Sequence, residues 1–293
     1  SEMCIRDRTN TTGYSNIAVG YESLYSNTTG HRNVAVGIEA LRLNTEGFYN
    51  VAVGTYALDG NTTGDNNVAV GMHSLSTNTT ADNNTALGHF TLFSNTTGHS
   101  NVAVGAYALD ASTTANYNTA VGMNTLTTAT TGGHNTGIGN DALSSLTTAS
   151  GNTAVGSLAG DAITTGTYNS ALGFSALRYN TTGVNNAALG ASALMDNTTG
   201  DKNTAVGYDA LRNNETADNN VAVGYQSLVQ NTTGYYNVAI GANALDANTE
   251  GFKNIAIGQD ALGANTTSDE NVAIGNLAGA TMTTGGHNNV IVG

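Results

Sequence analysis

The sequence predicts an all-β fold: a single-chain parallel β-solenoid with one 17-residue repeat per coil and about 16 coils. Three observations predict it. An Asn recurs at a spacing of 17 from Asn16 through Asn33, Asn50 and Asn67 to Asn271, giving 16 units. A short aliphatic triplet follows each Asn, and a Gly closes each triplet, as in Asn33-Val34-Ala35-Val36-Gly37. A Thr-rich turn such as Asn27-Thr28-Thr29-Gly30 precedes each repeat. A Gly in every unit would cost a helix about 1 kcal/mol each, whereas a short strand bounded by turn residues accommodates it. At about 4.8 Å per stacked strand, 16 coils would make a rod on the order of 75–80 Å long.

Numbered from the Asn, position 1 is Asn in all 16 units, position 3 is Ala in 15 and position 5 is always Gly. Position 4 is always Val, Leu or Ile, and position 9 is Leu in 14. The Asn residues at position 1 (Asn16, Asn33, Asn50, Asn67, Asn84, Asn101, Asn118 and Asn135 in the first half) are expected to stack into a hydrogen-bonded ladder. The Gly residues at position 5, such as Gly20, Gly37, Gly54 and Gly71, are expected to turn the strand at a corner. Asn-Thr-Thr-Gly at positions 12–15 reads as a turn whose Gly supplies φ > 0.

Strand alternation sends positions 2 and 4 one way and position 3 the other. The aliphatic 2/4 face is the expected interior. Ala35, Ala52, Ala69 and Ala86, on the opposite face, then become candidate contacts with a neighbouring subunit or a second layer. The competing reading reverses the alternation, with Ala filling a narrow interior. Two units depart together: Leu158-Ala159-Gly160 with Ile163, and Leu277-Ala278-Gly279 with Met282. Losing Leu at position 9 while gaining an aliphatic at 12 reads as compensated core packing.

Residues 1–8 do not fit the repeat and read as a sequence artefact ahead of a solenoid domain over 9–293. The formal net charge is −13, and eight scattered Lys and Arg residues argue against a nucleic-acid partner. One cysteine, Cys4, excludes an internal disulfide framework. No apolar run approaches the roughly 18 residues of a membrane span.

The variable positions supply the candidate sites. The six His occupy unrelated phases and are expected at the surface. Asp65, Asp82, Asp201, Asp218 and Asp269 share position 16, where stacked pairs could share a cation but are expected to be solvated loop carboxylates. The turns at Asn27, Asn61, Asn78, Asn95, Asn180, Asn197, Asn231 and Asn265 are formal N-glycosylation sequons, with a structural role expected. Tyr49, Tyr117, Tyr168 and Tyr236 share position 17 and are candidate surface-binding residues for glycans or a neighbouring rod. The Thr pair suggests an ice-binding face, but only one Thr per coil can face water in rank.

The run Val36-Gly37-Ile38-Glu39-Ala40 resembles the hexapeptide rule of left-handed parallel β-helices. The fuller phrase Asn237-Val238-Ala239-Ile240-Gly241 resembles the head repeats of trimeric autotransporter adhesins (YadA-like), and similar repeats occur in phage tail-fibre and cell-surface stalk proteins. The resemblance implies a left-handed β-roll, packing of three chains and binding to host or matrix surfaces. The 17-residue period and the Asn-Thr-Thr-Gly turn depart from that pattern. The expectation is a non-enzymatic extracellular protein of bacterial or phage-like origin. It would be a stiff rod serving as subunit of a filament, fibre or adhesin. Such a rod would associate with itself laterally or end to end, with no cofactor, metal or transmembrane segment.

Overall fold

The computed structural model describes residues 10–293; the non-repeat segment 1–8 lies outside the described residues. The chain is an all-β parallel solenoid of 17-residue repeats in two compact units, divided after Ala149. Each coil contributes one three-residue strand. The first unit carries eight strands, from β1 (Ile17–Val19) to β8 (Thr136–Ile138). The second, Ser150–Gly293, carries nine, from β9 (Thr153–Val155) to β17 (Val290–Val292). Within each unit successive strands pair in parallel and in register, so that Ala35 faces Ala52 and Ala52 faces Ala69.

Each coil bonds to both neighbours. The N–H at position 2 reaches forward, as in Val34 to the Asn50 carbonyl at 2.8 Å, and that at position 5 reaches back, as in Gly37 to Val19 at 2.8 Å. The turn concentrates its bonds on one acceptor: the N–H groups of Thr28, Thr29 and Gly30 all donate to the Thr45 carbonyl. The extra residue in the last coil is absorbed in the turn. Asn271 reaches Gly286 across 15 positions where other coils span 14, and Val272 still faces Val290.

Three positions per coil are left-handed, and apart from Gly151, Gly160 and Gly279 they hold residues other than Gly. They are positions 17, 7 and 9, as in Arg32 at φ 59°, Glu39 at 55° and Leu41 at 53°, and the same phases repeat throughout. Bulky residues rarely adopt this region. Here it makes the sharp reversals that let 17 residues close around a narrow interior. The position-5 Gly residues sit near φ +136°, and a Cβ on Gly37 would stand 2.4 Å from the Gly54 carbonyl oxygen. The turn Gly at position 15 is not left-handed, contrary to expectation. It is selected by close approach, since a Cβ on Gly47 would lie 2.5 Å from the Gly64 oxygen.

The interior is also reversed from the expected face. Ala35, Ala52, Ala69 and Ala86 are wholly buried within the chain, while positions 2 and 4 flank them on the outside. The space inside is filled by Leu at position 9 (Leu41, Leu58, Leu75), the small residue at position 8 and two columns of Asn, leaving position 3 room for a methyl group. These four alanines are therefore core residues and cannot touch a neighbouring subunit.

Candidate interaction surface

Asn residues at positions 1 and 12 form two buried ladders that converge on one carbonyl. Asn33 Nδ2 donates to the Gly47 oxygen at 2.8 Å, and Asn44 Nδ2 donates to the same oxygen at 3.0 Å. The Asn33 Oδ1 accepts the backbone N–H of Asn50 at 2.9 Å, and the Asn27 Oδ1 accepts from Asn44 Nδ2 at 3.0 Å. The polar ladder at position 12 is not continuous. Ser112, Ala129, Leu146 and Ile163 replace Asn, all buried, and the Asn95 Oδ1 at the ladder's end has no partner. Ile163 is buried in the coil where Gly160 replaces Leu at position 9, and in the other such coil Met282 Sδ stands 3.5 Å from where a Cβ on Gly279 would lie, as the compensation expected from the sequence requires.

This ladder decides the fate of the sequons. Asn27, Asn61, Asn78, Asn95, Asn180, Asn197, Asn231 and Asn265 are buried side chains of position 12. In the folded chain their amides are inside the coil and bonded to the turn. The Thr pair divides as alternation requires. Thr28 and Thr62 at position 13 donate their hydroxyls to the next coil's carbonyl, while Thr29 and Thr63 at position 14 are exposed.

The position-16 carboxylates are engaged and not simply solvated. Asp65 Oδ1 accepts the Phe48 N–H at 2.9 Å, Asp82 Oδ1 accepts that of Asp65 at 2.7 Å, and Asp201 Oδ1 accepts that of Val184 at 2.8 Å. Each caps a backbone donor of the preceding coil. Burial raises the Asp65 carboxyl above its ordinary range against the opposing pull of the Phe48 N–H. Among the described residues no group of three or more His, Cys, Asp or Glu side chains is placed to hold a metal ion.

Tyr49, Tyr117, Tyr168 and Tyr236 are exposed as expected, but they do not meet. Four coils separate Tyr49 from Tyr117, and four separate Tyr168 from Tyr236, which is about 19 Å in each unit. Three have a local partner: Arg32 donates to the Tyr49 hydroxyl, Tyr117 stacks on His134 at 4.9 Å, and Tyr236 meets Tyr235 edge-on at 5.6 Å. Sequence reasoning overlooked the shared columns of rings. His31 stacks between Tyr14 and Phe48 at 4.8 and 5.1 Å, and His73 between Tyr56 and Phe90 at 4.9 Å on each side. The signal was available as planar side chains in the same phase of consecutive units.

The most extensive surface feature is the outer face of the sheet. Position 4 is Val, Leu or Ile in every coil, and these side chains are half-exposed: Leu87 at 45 % and Leu189 at 50 %. Position 2 adds Val or Ile in nine coils. Position 6, just past the Gly corner, adds exposed Tyr21, Ile38, Met72, Met123, Phe174 and Tyr208. No Asp, Glu, Lys or Arg occupies positions 1–6 of any repeat, although the chain carries 29 such residues. A strip free of Asp, Glu, Lys and Arg, aliphatic at position 4 and mixed with Thr and Ser at position 2, thus runs across the strands of each unit. No protein-family model matches this chain, and a search of curated proteins finds no significant match.

Proposed function

We propose that the chain is a structural subunit, a stiff solenoid rod of a cell-surface or secreted fibre or adhesin, and not a catalyst. The observation that carries this reading is the uniformity of the outer sheet face. An aliphatic side chain at position 4 recurs at every coil, joined by Val or Ile at position 2 in nine of them, which suits association along a length and offers no single point of chemistry. Buried Asn ladders and bonds to both neighbouring coils supply stiffness without a cofactor. Immunogold electron microscopy of the source cells tests the reading. Labelled fibres or a labelled cell envelope are expected, and label confined to the cell interior overturns it.

A second reading, ice binding, has one specific observation in its favour. Thr63, Thr80, Thr97, Thr114, Thr131 and Thr148 form an unbroken exposed column in the first unit, one coil apart. It is a single column, because the position-13 hydroxyls are spent on carbonyls of the next coil. Thermal hysteresis of the purified protein would establish this reading, and its absence at millimolar concentration removes it.

A further inference from the structure

Each amide of the position-12 ladder uses both of its protons. Asn78 Nδ2 donates to the Asn61 Oδ1 of the coil before at 2.9 Å and to the Ala81 oxygen of its own turn at 3.0 Å. Asn95 Nδ2 repeats the pattern, to the Asn78 Oδ1 and the Gly98 oxygen, both at 2.9 Å. The turn oxygen in its turn accepts twice, as Ala81 does from Asn67 Nδ2 and Asn78 Nδ2.

The next rung, Ser112, cannot meet this pattern. Its hydroxyl has one proton and a shorter reach. Ser112 Oγ and Asn95 Oδ1 are both buried without a hydrogen-bond partner. The Ala115 oxygen accepts from Asn101 Nδ2 at 2.8 Å and receives no second side-chain amide. These groups converge. A Cβ on Gly98 would stand 2.3 Å from the Ala115 oxygen and 2.4 Å from Asn95 Oδ1. The equivalent point on Gly64 lies 2.4 Å from the Ala81 oxygen and 2.5 Å from Asn61 Oδ1. There the Asn78 Nδ2 stands 3.1 Å away and bonds both oxygens, whereas at Gly98 no side-chain donor stands so close.

The chemistry that completes this rung is specific. It offers two protons, to Asn95 Oδ1 and the Ala115 oxygen, and accepts one from Ser112 Oγ. It is also neutral, since none of these groups carries a charge to balance an ion in a dry interior. Exchanging Asn for Ser removes two heavy atoms, on the order of one water in volume. We propose that one water molecule is bound between Asn95 Oδ1, Ser112 Oγ and the Ala115 oxygen, as a fixed rung of the ladder. Three partners are typical of a structural water, and ordering it costs less than leaving two buried oxygens unbonded. Asn95, Ser112 and Ala129 are all wholly buried, and Ala129 in the following coil has no side-chain polar atom to compete for it. The water therefore leaves only when the coil opens, and its residence time reports that opening. The inference is independent of the scaffold reading.

A crystal structure of the full chain, at a resolution that shows ordered water, tests it. One peak within hydrogen-bond distance of all three oxygens is expected in the wild type. In Ser112→Asn the Nδ2 takes its place and the peak is lost. In solution, magnetic relaxation dispersion of the water signal should count one long-lived water fewer in Ser112→Asn than in the wild type. Ser112→Val, which puts an aliphatic at position 12 as Ile163 does, should lose the same water and covers a failure of the Asn variant to fold. The proposal is overturned by a wild-type structure with no peak, by a Ser112 hydroxyl bonded directly to Asn95 Oδ1, or by a peak at metal–oxygen distances. Equal counts of long-lived water in the wild type and the folded variants overturn it as well.

Discussion

Replacing Asn67 should cost the fold more than replacing Asn78, although both are fully buried Asn residues bonded to the same carbonyl. Asn67 Oδ1 is the acceptor for the backbone N–H of Asn84 at 3.0 Å, and its Nδ2 donates to the Ala81 oxygen at 2.8 Å. In Asn67→Ala the Asn84 N–H loses its acceptor in a dry interior, which costs about 1–3 kcal/mol, and the Ala81 bond adds about 1 kcal/mol. The expected total is about 2–4 kcal/mol. In Asn78→Ala the groups left behind are milder. The Ala81 oxygen keeps Asn67, Asn95 Nδ2 keeps Gly98, and only the Asn61 Oδ1 is orphaned. Buried acceptors tolerate this better than N–H donors. The expected cost is about 1–2 kcal/mol. Urea unfolding gives the two losses, and hydrogen exchange of the Asn84 amide locates the first. An Asn78→Ala loss equal to or greater than that of Asn67→Ala, or unchanged protection of the Asn84 amide in Asn67→Ala, would refute the reasoning.

Gly71→Ala should be among the most damaging single changes, by about 3 kcal/mol or more, because the new Cβ would meet the Gly88 oxygen at 2.3 Å in a left-handed backbone; thermal denaturation checks it. Ile163→Asn restores a consensus ladder residue yet should destabilise by about 2–4 kcal/mol, since Gly160 leaves the adjacent space empty. Adding Gly160→Leu, at a φ of 58° that matches the other position-9 residues, should recover most of that loss in a double-mutant cycle. Burial raises the carboxyls of Asp59, Asp65, Asp196 and Asp246 above the ordinary 3.8. Their folded forms hold protons more tightly than their unfolded forms, so their contribution to stability falls as pH rises from about 4 through the raised values. Urea midpoints should fall as pH rises from about 4 to 7, and Asp59→Asn should reduce the fall.

The period, the strand at positions 2–4, the Gly corner and the position-1 ladder were legible because each is an invariant of one chain repeated 16 times. The direction of the strand was not. Hydropathy favours Val36 over Ala35 for the interior, and a three-residue strand offers too little alternation to correct that preference. Size constancy was the better guide. Position 3 holds to Ala in Ala35, Ala52 and Ala69, while position 2 drifts from Val34 to Thr85, Ser170 and Ala187. The left-handed residues were illegible for a different reason. Glu39, Tyr56, His73 and Phe90 share one phase and one conformation, and no propensity scale would assign it to them. The candidate surface was legible as composition, in the absence of charge from positions 1–6, but it became a surface only once the strand was turned the right way.

The choice of Ala and Asn for the interior has a thermal consequence. Unfolding a typical globular chain raises the heat capacity by about 12–15 cal/mol/K per residue, through hydration of apolar area, and exposure of polar groups lowers it. A typical coil here buries one Leu and two methyl-sized residues beside two amides. The increment per residue should therefore fall well below the usual range. A small increment flattens the stability curve, so that the solenoid loses little on cooling and melts over a broad interval. Its tolerance of temperature would then come from the polarity of what it keeps inside.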